Sequence, residues 1–284
     1  MHHFTTVTYD SLPKGPGRQE FWQLSLPRLA FGYDFLLHQI LAITGFHMAD
    51  LYPERRSALS TRALQHQEKA FRGLCQAVPD LTGTNCHAIF ATASLLTISA
   101  FAAFTENVAQ EGHKPNIDNL MEAFSLIRGM NHILTRYEPI LLDGPMGQLL
   151  QLGVSRHETP LLASTAISLS KLVIPEDTDP VVRDICQHEV TKFIKFMEYP
   201  TSKAAYPELR AALSWPIVLS EEFVGLLHRR NAVALDILVY YCRILDHAGS
   251  CTWYMRGWGR CIHEDIATSR RANYGGHATT QTFA

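Results

Sequence analysis

Residues 223–266, FVGLLHRRNAVALDILVYYCRILDHAGSCTWYMRGWGRCIHEDI, carry the clearest structural pattern in the chain. Apolar side chains recur at helical spacing through the first half of this stretch. The apolar band is wider than the stripe of a surface helix, which buries only one side. The pattern therefore predicts a helix that is buried on most of its faces.

Polar side chains interrupt this predicted helix at four positions, spaced four, three and four residues apart. The four are Asp236, Tyr240, Arg243 and His247. Residues at this spacing share one side of a helix. That side is either the solvent face of the helix or a polar strip that lines a cavity, and the sequence leaves both interpretations open.

Aromatic rings dominate the second half of the stretch, where Trp253, Tyr254 and Trp258 stand among glycines. Rings bury a large area at low entropic cost, and a few polar groups beside them can fix the orientation of an apolar ligand. The segment is either a tryptophan-rich core or a ligand pocket. The predicted substrate-binding residues are Trp253, Trp258, His247, Phe223 and Leu227.

Composition narrows the classes of function. The chain has 25 Lys and Arg against 27 Asp and Glu, for a formal charge of −2, so it offers no basic field to nucleic acid. Its six cysteines form no CxxC pair, which argues against a zinc cluster and favours a reduced, cytoplasmic location. No secretory signal is visible, and hydroxyl side chains break the apolar segment 88–104, so no membrane span is expected.

Helix signals recur along the whole chain. Asp34 and Asp118 are predicted N-caps, and helices are predicted at about 56–77 and 86–108. The second of these is apolar or small on nearly all faces, which predicts a central helix.

The predicted fold class is therefore all-α, and only the weak alternation of HHFTTVTY hints at a strand. We expect a single domain over residues 1–272, built from roughly ten packed helices around a hydrophobic pocket near the C-terminal helices. A flexible tail is expected at 273–284.

Other conspicuous residues fit structural roles better than catalytic ones. Arg128 is predicted to tie helix ends together. His38 and His47 lie nine residues apart, so they do not share a face at metal-ligand spacing, and each is predicted to pack between helices. Cys86 and His87 are helical neighbours that point about 100° apart and lack a third orienting group, which argues against a Cys/His nucleophile.

Several segments together resemble a known family. They are MHHFTTVTYDSL, LAFGYDFLLHQILAITGFHMA, NCHAIFATASLL, FSLIRGMNHIL, LSWPIVLSEEFVGLL, ALDILVYYCRIL and WYMRGWGRCI. In this order they resemble the C-terminal effector domain of fungal zinc-cluster transcription factors of the sterol uptake control type, over nearly the whole chain. The opening HHFTTVT and the closing RGWG are the most specific parts. The resemblance implies an all-α domain with a deep hydrophobic pocket near its C-terminal helices, which in the regulators is implicated in sterol sensing.

Two departures from the family pattern bear on function. The regulators carry an N-terminal six-cysteine zinc module that binds DNA, whereas this chain starts at Met1 where the effector domain starts. The chain is thus either a domain of a longer protein or a free-standing product. The other departure is the pair Asp236 and Arg243, which stand where the family's helix is nearly all aliphatic. Charges beside an apolar pocket persist only if they are paired, solvated or useful.

Three functional hypotheses follow. The first is a cyclase or pericyclase of the Diels–Alder type, which acts on a terpenoid or polyketide of fungal secondary metabolism without a metal or redox cofactor. Its catalytic groups would be Asp236, Tyr240 and Arg243. The alternative is a sterol- or lipid-sensing effector domain that acts in the nucleus beside an upstream DNA-binding module.

The third hypothesis is a carrier of a hydrophobic metabolite. All three predict a small hydrophobic ligand and no direct contact with nucleic acid. A homodimer is compatible with an exposed apolar C-terminal helix. The absence of the zinc module from this sequence favours the cyclase.

Overall fold

The computed structural model describes residues 1–14, 17–105, 114–150, 160–198 and 206–275. Every regular element in these ranges is helical, which confirms the predicted all-α fold. The α-helices are α1 (His2–Thr6), α2 (Arg18–Glu20), α3 (Leu26–Ala30), α4 (Asp34–Leu51), α5 (Arg56–Ala77), α6 (Cys86–Ala102), α7 (Ile117–Asp143), α8 (Gly147–Leu150), α9 (Pro160–Leu169), α10 (Pro180–Glu198), α11 (Pro207–Val218), α12 (Glu221–His228), α13 (Ala232–Cys251) and α14 (Trp258–Gly275). Most of the predicted tail, from residue 276 onward, lies outside the described ranges.

Helix α6 is the most deeply buried long helix in this part of the chain. Fourteen of its 17 residues are buried, so the helix has no wholly solvent-exposed face. Helices α4, α5 and α7 pack around it, together with the 3₁₀ turn at Trp253–Met255. The hydroxyls of Thr92 and Thr97 donate to the carbonyls of Ala88 and Ala93, at 2.7 and 3.0 Å. These local bonds satisfy the polar groups of an otherwise apolar helix, and the prediction of a central helix is confirmed.

The N-terminal segment forms helix α1 and a 3₁₀ turn where the sequence hinted at a strand. Phe4 is fully buried in the core and anchors this segment. The Thr5 and Thr6 hydroxyls donate back to the carbonyl of His2, at 3.1 and 2.8 Å. Such side-chain to backbone bonds compete with strand pairing, and the described residues include no strand for this segment to pair with.

Helix α7 begins two residues earlier than the sequence indicates and continues past a proline. Its N-cap is Asn116, in a reciprocal capping box with Asn119. The predicted cap, Asp118, lies inside the first turn instead. Near the other end, Tyr137 has non-helical angles, φ −119° and ψ 16°, two residues before Pro139. The proline lacks an N–H and its ring crowds the preceding turn, so the helix bends there rather than ending.

Side chains of α7 and α10 bind the backbone of the turn between α11 and α12. Arg128 of α7 donates from Nη1 to the carbonyls of Pro216 and Leu219, at 3.1 and 2.8 Å. The buried carboxylate of Glu189 on α10 accepts the backbone N–H of Ser220 at 3.2 Å. The prediction that Arg128 ties helix ends together is confirmed.

The RGWG motif, residues 256–259, joins α14 to α4 and α6. Arg256 forms an ion pair with Asp50 of α4, at 2.9 Å. Gly257 has φ of 83°, in the left-handed region that favours glycine. Trp258 is fully buried, and its indole N–H donates to the carbonyl of Phe101 at 2.9 Å, near the end of α6. The motif therefore has a structural role in docking the last helix.

Gly259 allows α14 to approach the backbone of α13, and we expect its substitution to be costly. A Cβ at this position would lie 2.4 Å from the carbonyl oxygen of Cys242 and 2.5 Å from the amide nitrogen of Asp246. Because both atoms are backbone, Gly259→Ala should lower the free energy of unfolding by about 2 kcal/mol or more in urea denaturation.

Gly129→Ala is the matched control, because a Cβ on Gly129 of α7 would meet nothing within 4 Å. We expect this variant to be neutral or more stable by up to about 1 kcal/mol, the gain in helix propensity. Equal losses in the two variants would contradict the close approach of α13 and α14.

Candidate functional site

The charged face of α13 points to solvent. Arg243 and His247 are exposed, and Asp236 forms an ion pair with Arg270 of α14. Of the two interpretations that the sequence left open, the structure shows the solvent face. Pairing and hydration remove the cost that these charges would incur against an apolar pocket.

Tyr240 is the fourth member of this face and is half-buried. Its hydroxyl lies 3.4 Å from the carbonyl oxygen of Ser168, to which it can donate. None of the four residues lines the three cavities of about 750, 400 and 240 Å³ that are formed by described residues. The geometry thus gives Asp236, Tyr240 and Arg243 no shared site, and their catalytic role stays a prediction.

Three of the predicted ligand-binding residues lie in the core. Phe223, Leu227 and Trp258 are fully buried. The ring of Trp258 packs edge-on against that of Phe101, with centroids 4.8 Å apart. The sequence predicts a ligand pocket around these three side chains. Their contact with a ligand stays a prediction.

Trp253 holds the N-terminal segment against α4. Its indole N–H donates to Ser11 Oγ at 3.0 Å, and its ring centroid lies 4.9 Å from that of His47. Nδ1 of His47 lies 3.1 Å from Thr8 Oγ1. His47 is therefore a packing histidine, as predicted, and it bridges the two ends of the chain.

Trp253 also lines a cavity, together with Leu12, Tyr206 and Tyr254. The volume of this cavity is about 240 Å³. Sites for drug-sized ligands usually enclose about 300–1,000 Å³. The cavity is therefore too small for a sterol-sized molecule.

A larger cavity lies between α5, α6 and α7, and we call it the α5–α7 groove. Its volume is about 750 Å³, within the range for an apolar ligand of sterol size. The groove is lined by Leu64, Gln67, Glu68 and Phe71 of α5, by Leu96, Ala100, Ala103 and Phe104 of α6 and its C-terminal turn, and by Asn119, Glu122, Ser125 and Leu126 of α7.

Local sequence explains how each helix contributes a wall. The residues from α5 are spaced three, one and three positions apart, so they share one helical face. Leu64 and Phe71 remain nearly half exposed there, at 46% and 47%. At the end of α6, the small side chains of Ala100 and Ala103 leave space above the helix, which forms the floor of the groove. Apolar groups exposed together in a concavity are typical of a binding site.

The groove was not predicted from the sequence, which placed the pocket near the C-terminal helices. Near the C-terminal helices, Gly259 brings α13 and α14 into close backbone approach, and a pocket there stays a prediction. One signal was present in the sequence. Phe71 interrupts the polar surface QHQEKAFRGL of α5, and Leu64, seven residues earlier, lies on the same face of the helix.

Cys86 and His87 do not form a nucleophilic pair. Burial raises the pKa of the Cys86 thiol, so it stays protonated and is a weak nucleophile at neutral pH. Burial also lowers the pKa of His87. His87 lines a cavity of about 400 Å³ with Asp143 and Gly144, whereas Cys86 is not among the residues that line it.

The described ranges hold neither a membrane-crossing helix nor a metal cluster. No helix there is both long and apolar enough to span a bilayer. No three His, Cys, Asp or Glu side chains within the same ranges come together as metal ligands.

Comparison with known proteins identifies the relatives of the chain. Residues 1–123 match the fungal specific transcription factor domain. The Zn(2)-C6 fungal-type transcription factor afumD of Aspergillus fumigatus is 24% identical over 242 residues, which are 83% of this chain and 63% of the relative.

Two sterol uptake control proteins also match. Sterol uptake control protein 2 of Candida albicans is 21% identical over 284 residues, 94% of this chain and 39% of the relative. Its namesake in Saccharomyces cerevisiae is 20% identical over 277 residues, 94% of this chain and 29% of the relative.

The chain thus spans less than two thirds of the length of each of these relatives. The matches confirm the resemblance to fungal zinc-cluster transcription factors of the sterol uptake control type.

His47 should make folding stability depend on pH. Burial, helped by the nearby His3, lowers the pKa of His47 to about 4, and Asp50 opposes the shift only partly. In the unfolded chain His47 binds a proton near pH 6.5, so above that pH protonation does not favour unfolding and the free energy of unfolding is highest. It should fall by as much as about 3 kcal/mol as the pH drops to 4.

Urea unfolding at a series of pH values checks this expectation. His47→Gln should flatten the stability profile between pH 6.5 and 4, whereas His188→Gln, at an exposed position of α10, should leave the profile unchanged. An unaltered slope in the His47 variant would exclude His47 as the source.

Proposed function

We propose that this chain is the effector domain of a zinc-cluster transcriptional regulator, and that an apolar metabolite bound in the α5–α7 groove controls its activity. The similarity to sterol uptake control proteins, which extends over 94% of the chain, is the observation that carries the proposal. Under it, DNA contact belongs to a zinc module outside these 284 residues, and the protein acts in the nucleus. The formal charge of −2 agrees with a domain that does not itself bind DNA.

The groove supports the ligand part of the proposal. Its volume of about 750 Å³ and its floor of Leu96, Ala100, Ala103 and Phe104 suit an apolar molecule of sterol or terpenoid size. Burying the exposed faces of Leu64 and Phe71 would add to the binding free energy, at roughly 25 cal/mol per Å² of apolar surface removed from water. The names of the yeast relatives point to a sterol as the first ligand to test.

Helix α7 offers a route from the groove to the C-terminal helices. Its first turn provides a groove wall at Asn119, and Asp118 beside it pairs with Arg230 at 2.9 Å. Arg230 lies in the turn between α12 and α13, with φ of 52°. Asp265 of α14 accepts the backbone N–H of Ile117 at 2.9 Å. A ligand that moves the start of α7 would therefore alter contacts with both α13 and α14.

The described residues offer less support for a cyclisation catalyst. Of its proposed catalytic groups, Asp236 is paired with Arg270, Tyr240 is half-buried and Arg243 is exposed. None of the three lines the cavities of about 750, 400 and 240 Å³. A cyclase needs donors that converge on a bound substrate. Conversion of a bound terpenoid into an isomer of equal mass by the purified protein would reverse this preference. Self-association stays a prediction.

A reporter assay tests the proposed function. The chain is fused to an unrelated DNA-binding domain, and reporter expression is compared in fungal cells with normal and blocked sterol synthesis. We expect expression to change with sterol supply. Ala100→Phe, which fills the groove floor, should weaken the response and lower ligand affinity at least about tenfold, because a bulky ring excludes the ligand.

Ala163→Phe is the matched control, because Ala163 is exposed on α9 and lies outside the groove. This variant should respond like the parent. A normal response from both variants would show that the groove is not the ligand site. A fusion that ignores sterol supply altogether would contradict the effector role.

A further inference from the structure

The α5–α7 groove has a one-sided charge. Its lining includes Glu68 and Glu122, on opposite helices, and contains no Lys, Arg or His. Glu68 is engaged by Arg72 one turn along α5. Glu122 is exposed, and no basic side chain among the described residues forms an ion pair with it. The groove therefore presents negative charge beside an apolar floor.

The neutral polar groups of the groove include one buried acceptor without a partner. The side-chain oxygen of Gln67 is buried and accepts no hydrogen bond from the described residues. Oδ1 of Asn119 already accepts the backbone N–H of Asn116 in the capping box, and the Ser125 hydroxyl donates to the carbonyl of Met121 at 3.0 Å. A buried acceptor without a donor is costly, so a ligand that brings a donor gains affinity there.

Two aromatic rings also line the groove. Phe71 and Phe104 both line the groove, and Phe71 is 47% exposed. The face of a phenyl ring attracts cations, and an ammonium group within about 6 Å of the ring centre gains from this attraction. Ring faces, carboxylates and an unpaired amide oxygen all favour a positively charged hydrogen-bond donor.

We propose that the groove binds apolar amines, such as long-chain or polycyclic ammonium compounds, more tightly than neutral alcohols of the same skeleton. Apolar carboxylates should bind least tightly. The proposal rests on the groove being the ligand site, as in the proposed function, and adds the charge of the ligand's polar end. A carboxylate ligand would meet the like charge of Glu122, and the lining contains no cation to pair with it.

Calorimetric titration with three probes of equal chain length tests the proposal. The probes are dodecylamine, dodecanol and dodecanoate, each kept below its aggregation concentration at pH 7. We expect the amine to bind roughly fivefold tighter than the alcohol and at least about tenfold tighter than the carboxylate at low salt, as for a partly exposed ion pair. High salt should narrow both differences, because it screens exposed charges.

Two charge-removing variants locate the origin of the selectivity. The double variant Glu68→Gln with Glu122→Gln should bring the affinities of amine and carboxylate to within about twofold of each other while it still binds the alcohol. Glu138→Gln is the matched control, because Glu138 is an exposed residue of α7 outside the groove. It should keep the order of the parent.

The outcomes separate the two proposals. Equal affinity of the parent for amine and carboxylate, with both lost in Ala100→Phe, would overturn the charge selectivity and leave the groove as the ligand site. Binding of all three probes that Ala100→Phe does not weaken would show that the groove is not the site, and both proposals would fail. Selectivity that persists in the double variant would also overturn the charge assignment.

Discussion

The burial of α6 decides how the other helices are arranged. A helix with 14 of 17 residues buried must be covered on almost every side, and α4, α5 and α7 supply most of that cover. The end of α6 is covered from far along the chain, where the indole of Trp258 donates to the carbonyl of Phe101. Where the side chains of α6 are small, at Ala100 and Ala103, the cover is incomplete and the α5–α7 groove remains. The same buried helix thus forms the centre of the core and the floor of the candidate site.

The C-terminal helices α13 and α14 pack closely against each other. Gly259 brings α14 against the backbone of α13, and Trp258 and Phe223 fill the interior beside them. The charges on the outer side of α13 are hydrated or, at Asp236, paired with Arg270. The interior beside α13 and α14 is therefore filled by side chains, while the surface between α5 and α7 keeps exposed apolar groups that a ligand could cover.

Sequence pattern predicts the elements of this fold better than it predicts the site. The boundaries of α5 follow from periodicity, and α6 is recognised as central because it lacks a polar face. Capping is harder, since Asn116 and Asp118 are equally good candidates until Asn119 completes a capping box. Periodicity also shows that Asp236 and Arg243 share a face, but not whether that face meets solvent or a cavity. The groove depends on how closely three helices approach, which no local pattern encodes.

We propose that an apolar ligand binds against α6, between α5 and α7. Backbone hydrogen–deuterium exchange with and without saturating dodecylamine is the sharpest test, because a bound ligand slows local opening of the helices that it contacts. We expect slower exchange in residues 64–71, 96–104 and 119–126, with little change in 223–258. Slower exchange confined to 223–258, with the three groove segments unchanged, would contradict it and return the ligand site to the C-terminal helices.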